Sequence, residues 1–223
     1  MARLALKGPI LCLVTDRRLC PEGSLVKKVA QAMEGGVNMV QLREKDISGG
    51  RLLKLAMELK NALQDEALLF INDRVDVALV CGADGVQLGE DGMNPSAVRP
   101  LVKDELLIGR SIHSVAGALT AQQQGADLLL GGAIFPSSSH PGGPVNGVAL
   151  LRQLSGRVTI PYIGTGGVNA SNAGEVIQAG ADGVAVISAI FSSPKPREAA
   201  AALRQSIDIA WKSRPGLGSV SKR

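Results

Sequence analysis

Aromatic side chains are nearly missing from this chain: one Trp, one Tyr and three Phe make up 2% of its 223 residues. That shortage removes the stacking platforms on which single-stranded nucleic acid is held, and it weighs against an aromatic-rich sandwich. Cysteine occurs three times, at Cys12, Cys20 and Cys81, an odd number with no paired metal spacing. Such residues read as reduced thiols of a cytosolic protein, not as a disulfide framework. No stretch approaches the roughly 18 uninterrupted apolar residues of a membrane span. Residues 1–9 hold two cations but no long apolar region with a cleavage site, so no secretory signal is expected. The expectation is a soluble, cytoplasmic chain without nucleic-acid or membrane partners. The net charge of +4 and pI near 9.1 do not change this, because the basic residues are scattered except in the tail from Lys212 to Arg223. A diffuse positive balance suits small anionic ligands better than a polyanion.

What remains is 45% hydrophobic and dominated by Ala, Val, Leu and Ile with 27 Gly, so the core is small and aliphatic. Apolar runs at 10–14, 39–42, 67–71, 82–86, 106–108, 127–135, 158–163 and 180–187 predict eight strands. Between them lie helical patterns, such as Leu52, Leu55, Leu59 and Leu63 behind a Ser48 N-cap. Others run up to Glu34, over Val75 to Val80, from Pro95, from Ser114 to Gly125, over 148–154, over 170–178 and over 199–211. Gly82-Ala-Asp-Gly-Val86, Gly125-Ala-Asp-Leu-Leu129 and Gly180-Ala-Asp-Gly-Val184 repeat one helix-to-strand signal, and Gly35-Gly-Val-Asn-Met39 resembles it loosely. The prediction is a single (β/α)8 barrel of parallel strands over 1–212, with 213–223 a disordered basic tail. A doubly wound open sheet is the alternative, disfavoured because no Gly-x-Gly-x-x-Gly follows the first strand.

In such a barrel the C-terminal strand ends share one rim, where barrel enzymes keep their active sites. Those ends carry Gln41, Arg43 and Lys45; Asn72 and Asp73; Glu90 and Asp91; Ser111 and His113; Ser137, Ser139 and His140; Gly166 and Gly167; and Ser188. The opposite ends are mostly Gly, Ala and Asp. Arg offers a planar fork of donors and Lys a mobile point charge, which suits an anionic ligand, while a surface salt-bridge cluster is the plainer reading. Gly164-Thr-Gly-Gly167 and Ile187-Ser188 either bind a phosphate through backbone N–H groups or simply make turns. Asp73 with Asp91 or Glu90 suits magnesium; alternatively Asp73 pairs with Arg74 or caps the following helix. His113 is either a rim histidine bonded to backbone or a catalytic base. The segment from Pro136 to Pro144 is long and glycine-rich, a candidate lid.

Gln41-Leu-Arg-Glu-Lys45, Ile71-Asn-Asp-Arg-Val-Asp-Val-Ala-Leu79, Gly82 to Val86, Gly132-Ala-Ile-Phe-Pro136 and Gly180 to Ile190 follow one another as in a known family. The chain resembles the thiamine-phosphate synthases and the related thiazole tautomerases. The resemblance implies a magnesium-dependent transferase that joins hydroxymethylpyrimidine diphosphate to thiazole phosphate and releases pyrophosphate. It implies that Arg43, Lys45 and Ser111 contact the pyrophosphate, with His140 at the position of a lysine, and that Asp73 ligates magnesium. Gln41 and Asn72 would face the pyrimidine, and Gly167, Ile187 and Ser188 the thiazole phosphate, with Ser137 and Ser139 in place of the usual threonines. The chain departs from the synthase pattern at Gly92, where the second metal-ligand Asp is expected, which leaves Asp91 as the substitute. Two further readings stay open: a metal-free isomerase using His113 or His140, and a non-catalytic binder of thiamine intermediates. Homo-oligomerisation is open as well.

Overall fold

Short runs of small aliphatic residues, buried on both faces, have to lie in a parallel sheet that helices cover. The computed structural model, which describes residues 8–137 and 142–214, closes eight such runs on themselves. The strands are β1 (Ile10–Val14), β2 (Met39–Leu42), β3 (Leu68–Asn72), β4 (Gly85–Leu88), β5 (Leu107–Ile112), β6 (Leu128–Gly131), β7 (Tyr162–Thr165) and β8 (Gly183–Val186). They pair in chain order, all parallel, and β8 returns to β1 with Ile10 opposite Gly183. Around the barrel run α1 (Leu25–Glu34), α2 (Gly49–Leu63), α3 (Val75–Val80), α4 (Pro95–Val102), α5 (Val115–Gln123), α6 (Gly147–Leu154), α7 (Ala173–Gln178), α8 (Ser188–Phe191) and α9 (Pro196–Lys212). The expected (β/α)8 barrel is therefore the fold. Among the described residues no helix is long and apolar enough to cross a membrane.

Strand periodicity of two divides the core in half. Ile10, Cys12, Val14, Met39, Phe70, Leu107, Leu128, Leu130, Ile163 and Ala185 form one cluster inside the barrel, and the alternate residues form a second with the helices. Phe70 is fully buried, and a Cβ at Gly85 would run into its ring, so the missing side chain at 85 makes room for the aromatic. Burial pushes the Cys12 thiol up to about 12, so Cys12 behaves as a small apolar side chain. The inward positions of the last layer break the pattern: Gln41, Asn72, Gln87, Ser111 and Thr165 are polar.

The repeated Gly-Ala-Asp is a joint, not the start of a strand. Gly36, Gly82, Gly125 and Gly180 all adopt the left-handed conformation, with φ of 101°, 62°, 90° and 109°. In each case the next N–H reaches five residues back, Val37 to Ala32, Ala83 to Ala78, Ala126 to Ala121 and Ala181 to Val176, at 3.0–3.3 Å. This is the helix-ending geometry that glycine permits. The side chain that follows then accepts an N–H from the first two residues of the preceding strand: Asn38 from Leu11 (2.8 Å), Asp84 from Leu69 (2.8 Å), Asp127 from Ile108 (2.8 Å) and Asp182 from Tyr162 (3.0 Å). Three of the four are carboxylates and each meets a cation, Lys60, Arg99 and Arg214 respectively. Asn38, uncharged, instead donates to the Pro9 carbonyl at 3.1 Å.

This joint moves several predicted boundaries. β4 and β8 begin at Gly85 and Gly183, three residues later than the apolar runs suggest. β6 stops at Gly131, well short of Phe135, because Ile134 and Phe135 turn to donate to the Thr165 and Gly166 carbonyls at 2.8 and 3.0 Å. β7 lies over 162–165, later than 158–163, and α7 starts at Ala173 behind a turn in which Asn172 accepts from the Asn169 N–H. The tail from 215 onward lies outside the described residues.

The joint yields a stability prediction. Asp127→Ala leaves the Ile108 N–H without its acceptor and the Arg99 guanidinium with carbonyl partners but no counter-charge, and should cost about 3 kcal/mol in urea unfolding. Asp76→Ala, at an exposed helix position paired with Arg74, should change stability by less than about 0.5 kcal/mol. Equal effects would contradict the assigned role of the joint.

Candidate active site

β2 delivers its charges in two different states. Glu44 has a side chain only 2% exposed, beneath the rim. It accepts the Thr15 hydroxyl at 2.7 Å, the Arg17 N–H at 3.1 Å and the Arg17 guanidinium at 3.0 Å. Thr15 in turn accepts the Arg43 N–H at 2.9 Å, so the loops after β1 and β2 are stitched together. Arg17 also grips Asp46, holding that carboxyl down at about 2, and Arg18 lowers Asp16 through a side-chain hydrogen bond. Arg43 and Lys45 flank Glu44 but stay largely uncommitted. Lys45 is 60% exposed and approaches Asp73 no closer than 4.0 Å.

From β3, Asn72 receives the Gln41 amide N–H at 2.9 Å and passes its own amide N–H to Asp73 at 2.8 Å. Asp73 is left-handed at φ 57°, an uncommon conformation that Asp tolerates better than most residues. Its other oxygen accepts the Gly89 N–H at 2.7 Å. Neither alternative partner is used, since Arg74 pairs with Asp76. A Cβ at Gly92 would stand 2.9 Å from Asp73 Oδ1. Position 92 therefore faces Asp73, where this chain has no side chain, while exposed Asp91 makes no described bond to it. Among the described residues no three His, Cys, Asp or Glu converge as a metal cage. The donor set still fits magnesium, which takes one or two carboxylates and completes its shell with ligand phosphates and water: each Asp73 oxygen has one described hydrogen bond and a lone pair to spare.

On β5, Ser111 accepts the Gln87 amide N–H at 3.1 Å. The neighbouring outward residue, Arg110, holds the loop after β4 by its carbonyls, Glu90 at 2.8 Å and Met93 at 2.9 Å. His113 Nδ1 lies 2.5 Å from Glu90 Oε2, so His113 is bonded to a carboxylate and not to backbone. The Glu90 side chain thus meets His113 on the exposed rim.

The far side of the mouth is built from backbone. Gly166 and Gly167 are left-handed, at φ 90° and 64°, and a Cβ on Gly167 would run into the Pro136 carbonyl and Phe135. Asn172 fixes the Gly167 carbonyl at 3.1 Å. Ile187 precedes the first turn of α8, which opens with Ser188. Asn146 bonds to the Gly132 and Ala133 carbonyls at 2.8 Å each, tying residues beyond the candidate lid to its base. Ser137 is half-buried at the end of the described part of that loop; Ser139 and His140 lie outside the described residues. A shallow groove between α7 and α9, lined by Gly174, Gln178, Ser206 and Ile209 among others, has no charged side chain and lacks the convergent groups of the mouth.

A model of the thiamine monophosphate synthase family matches residues 11–190. The chain belongs to that family. It is 41% identical over 199 residues to the thiamine-phosphate synthase of Pyrococcus abyssi, covering 89% of this chain and 94% of the relative. It is 45% identical over 197 residues to a putative thiamine-phosphate synthase of Geobacter sulfurreducens, covering 86% and 92%. Among solved structures, thiamine phosphate pyrophosphorylase from Pyrococcus furiosus superposes with a TM-score of 0.83 at 38% identity, over 90% of this chain and 96% of that one. A 3-hexulose-6-phosphate synthase at 20% identity and TM-score 0.72 shares the fold.

For a thiamine monophosphate synthase family member, three features of this mouth were missed by the sequence reading. The Thr15–Glu44–Arg17 brace was missed because Glu44 looks like one more charge in a charged run. Gln87 and Gly109 were missed because their fit to each other is made across two strands.

The brace makes a second prediction. Glu44→Ala strands the Thr15 hydroxyl and the Arg17 N–H and leaves the Arg17 guanidinium only Asp46, and should lower stability by about 2 kcal/mol. Lys45→Ala, one residue on and exposed, should stay within about 0.5 kcal/mol. Urea unfolding of both variants checks this; a Lys45 effect as large as that of Glu44 would contradict it.

Proposed function

We propose that this protein makes thiamine phosphate from hydroxymethylpyrimidine diphosphate and thiazole phosphate, releasing pyrophosphate with the help of magnesium. The observation that carries the reading is the pair of anion-suited groups across one mouth. Arg43 and Lys45 follow β2, Lys45 lies 4.0 Å from Asp73 after β3, and Ser111 lies near the end of β5, while Gly166, Gly167 and the start of α8 follow β7 and β8. Two phosphorylated substrates need two such places.

In the first step the bond between the pyrimidine methylene carbon and the diphosphate oxygen breaks, and its electron pair leaves with pyrophosphate. In the second the thiazole nitrogen gives its lone pair to the methylene cation and becomes the thiazolium. No proton moves in either step, so the reaction asks the protein for charge stabilisation and not for a general base. Arg43 and Lys45 stabilise the charge that grows on the leaving group, and Ser111 adds a hydroxyl donor. Gln41 and Asn72, already linked at 2.9 Å, orient the pyrimidine. Gly167, Ile187 and Ser188 hold the thiazole phosphate, Ser137 and Ser139 offer substrate-binding hydroxyls, and His140 takes the place of the family's lysine. Magnesium, when bound, neutralises diphosphate charge; Asp73 is the side chain that would hold it, with Asp91 too exposed and unanchored to carry that role alone.

The test is product formation from the two substrates with magnesium and with a chelator. Product with magnesium and none with the chelator is expected. Arg43→Ala should lower kcat about 100- to 1,000-fold with the fold intact. Product that survives the chelator would remove the metal from the account. No product in either tube would favour the isomerase or the non-catalytic binder. An Arg43→Ala enzyme of normal rate would remove the leaving-group assignment.

A further inference from the structure

Gln87 is 1% exposed and sits inside the barrel, where a polar side chain has to be there for a reason. Its carbonyl oxygen has no hydrogen-bond partner. Its register neighbour on β5 is Gly109, and a Cβ on Gly109 would collide with Gln87 Oε1. The missing side chain at 109 is thus the seat that leaves room for the amide oxygen. With the oxygen on that side, it meets the Gly109 Cα–H groups, a weak but favourable contact. Reversing the amide would press two N–H donors against carbon and bury them unsatisfied. The seat therefore sets the orientation, and the orientation sets what Gln87 offers Ser111, an N–H at 3.1 Å.

We propose that Gln87, seated on Gly109, is a positioning residue that turns Ser111 into a dedicated hydrogen-bond donor for the substrate diphosphate. A serine hydroxyl can donate once or accept twice, and left alone it adapts to either kind of partner. Accepting from Gln87 occupies one lone pair and holds the Oγ in one rotamer. The remaining O–H then points toward the ligand side as a donor, which is the only polarity a diphosphate oxygen can use. Because Gln87 is buried and Ser111 half-buried, the arrangement is formed before ligand arrives, so no hydroxyl has to be reoriented on binding. The inference rests on the proposed contact between Ser111 and the diphosphate.

The test measures binding of inorganic pyrophosphate with magnesium, and separately of thiazole phosphate, by calorimetry. The proteins compared are the full chain and its S111A, Q87L, Q87E and Q87L/S111A variants. Q87L removes the donor, and Q87E keeps the shape while replacing the N–H with an acceptor. S111A and Q87L should each weaken pyrophosphate binding about 10-fold, and Q87E by at least as much. The double variant should be no weaker than S111A alone, because both changes remove one interaction. Thiazole phosphate affinity should stay within about twofold throughout. Wild-type pyrophosphate affinity in Q87L and Q87E beside a weakened S111A would overturn the inference and leave the Ser111 contact standing. Additive losses, or equal losses for both ligands, would overturn it as well. An unchanged S111A would overturn the Ser111 contact itself, and the inference with it.

Discussion

Closure of eight parallel strands is the constraint from which the rest follows. Register fixes which residues point inward, and parallel direction puts every inward residue of the last layer on one rim. Below that layer the interior is filled by aliphatic side chains, one buried Phe and the glycines that make room for it. At the rim the same positions become Gln41, Asn72, Gln87, Ser111 and Thr165. The barrel is thus a hydrophobic plug under a polar floor, and the proposed ligand site is the floor together with the loops that rise around it.

Charge is divided between structure and function by how much of it is already spent on partners. Asp84, Asp127 and Asp182 each accept a strand N–H and meet a cation at the opposite end of the barrel. Glu44 is equally committed beneath the rim. Arg43 and Lys45, on either side of it in sequence, make no described bond to it, and Lys45 meets Asp73 only at 4.0 Å. An anion arriving at the mouth meets uncommitted cations on a rigid support, which limits what has to be ordered on binding.

Much of this was legible in the sequence, for physical reasons. Alternating apolar runs and helical stripes carry the barrel, and the rim residues follow from where those runs end. The Gly-Ala-Asp repeat reads in the sequence as the end of a helix and the start of a strand, but the bond its Asp makes to the preceding strand is not legible there. That is also why β4 and β8 begin later than their apolar character suggests. In Gln-Leu-Arg-Glu-Lys the sequence puts Gln41, Arg43 and Lys45 on the rim without giving Glu44 a separate role; only the position of Thr15, 29 residues away from Glu44, shows Glu44 to be part of a brace. The Gln87–Ser111 pair spans 24 residues and depends on an absent side chain at 109, which no local pattern announces. Position 92 was legible from the family motif, and the geometry adds that its missing side chain would have faced Asp73.

The central claim is that the leaving group is held on the β2–β5 side of the mouth and the second substrate's phosphate on the β7–β8 side. A crystal structure of the protein with magnesium and inorganic pyrophosphate tests it most directly. The account predicts pyrophosphate density in contact with Arg43, Lys45 and Ser111, with the metal between it and Asp73. Pyrophosphate bound instead at Gly166, Gly167 and Ser188, with Arg43 and Lys45 untouched, would contradict it.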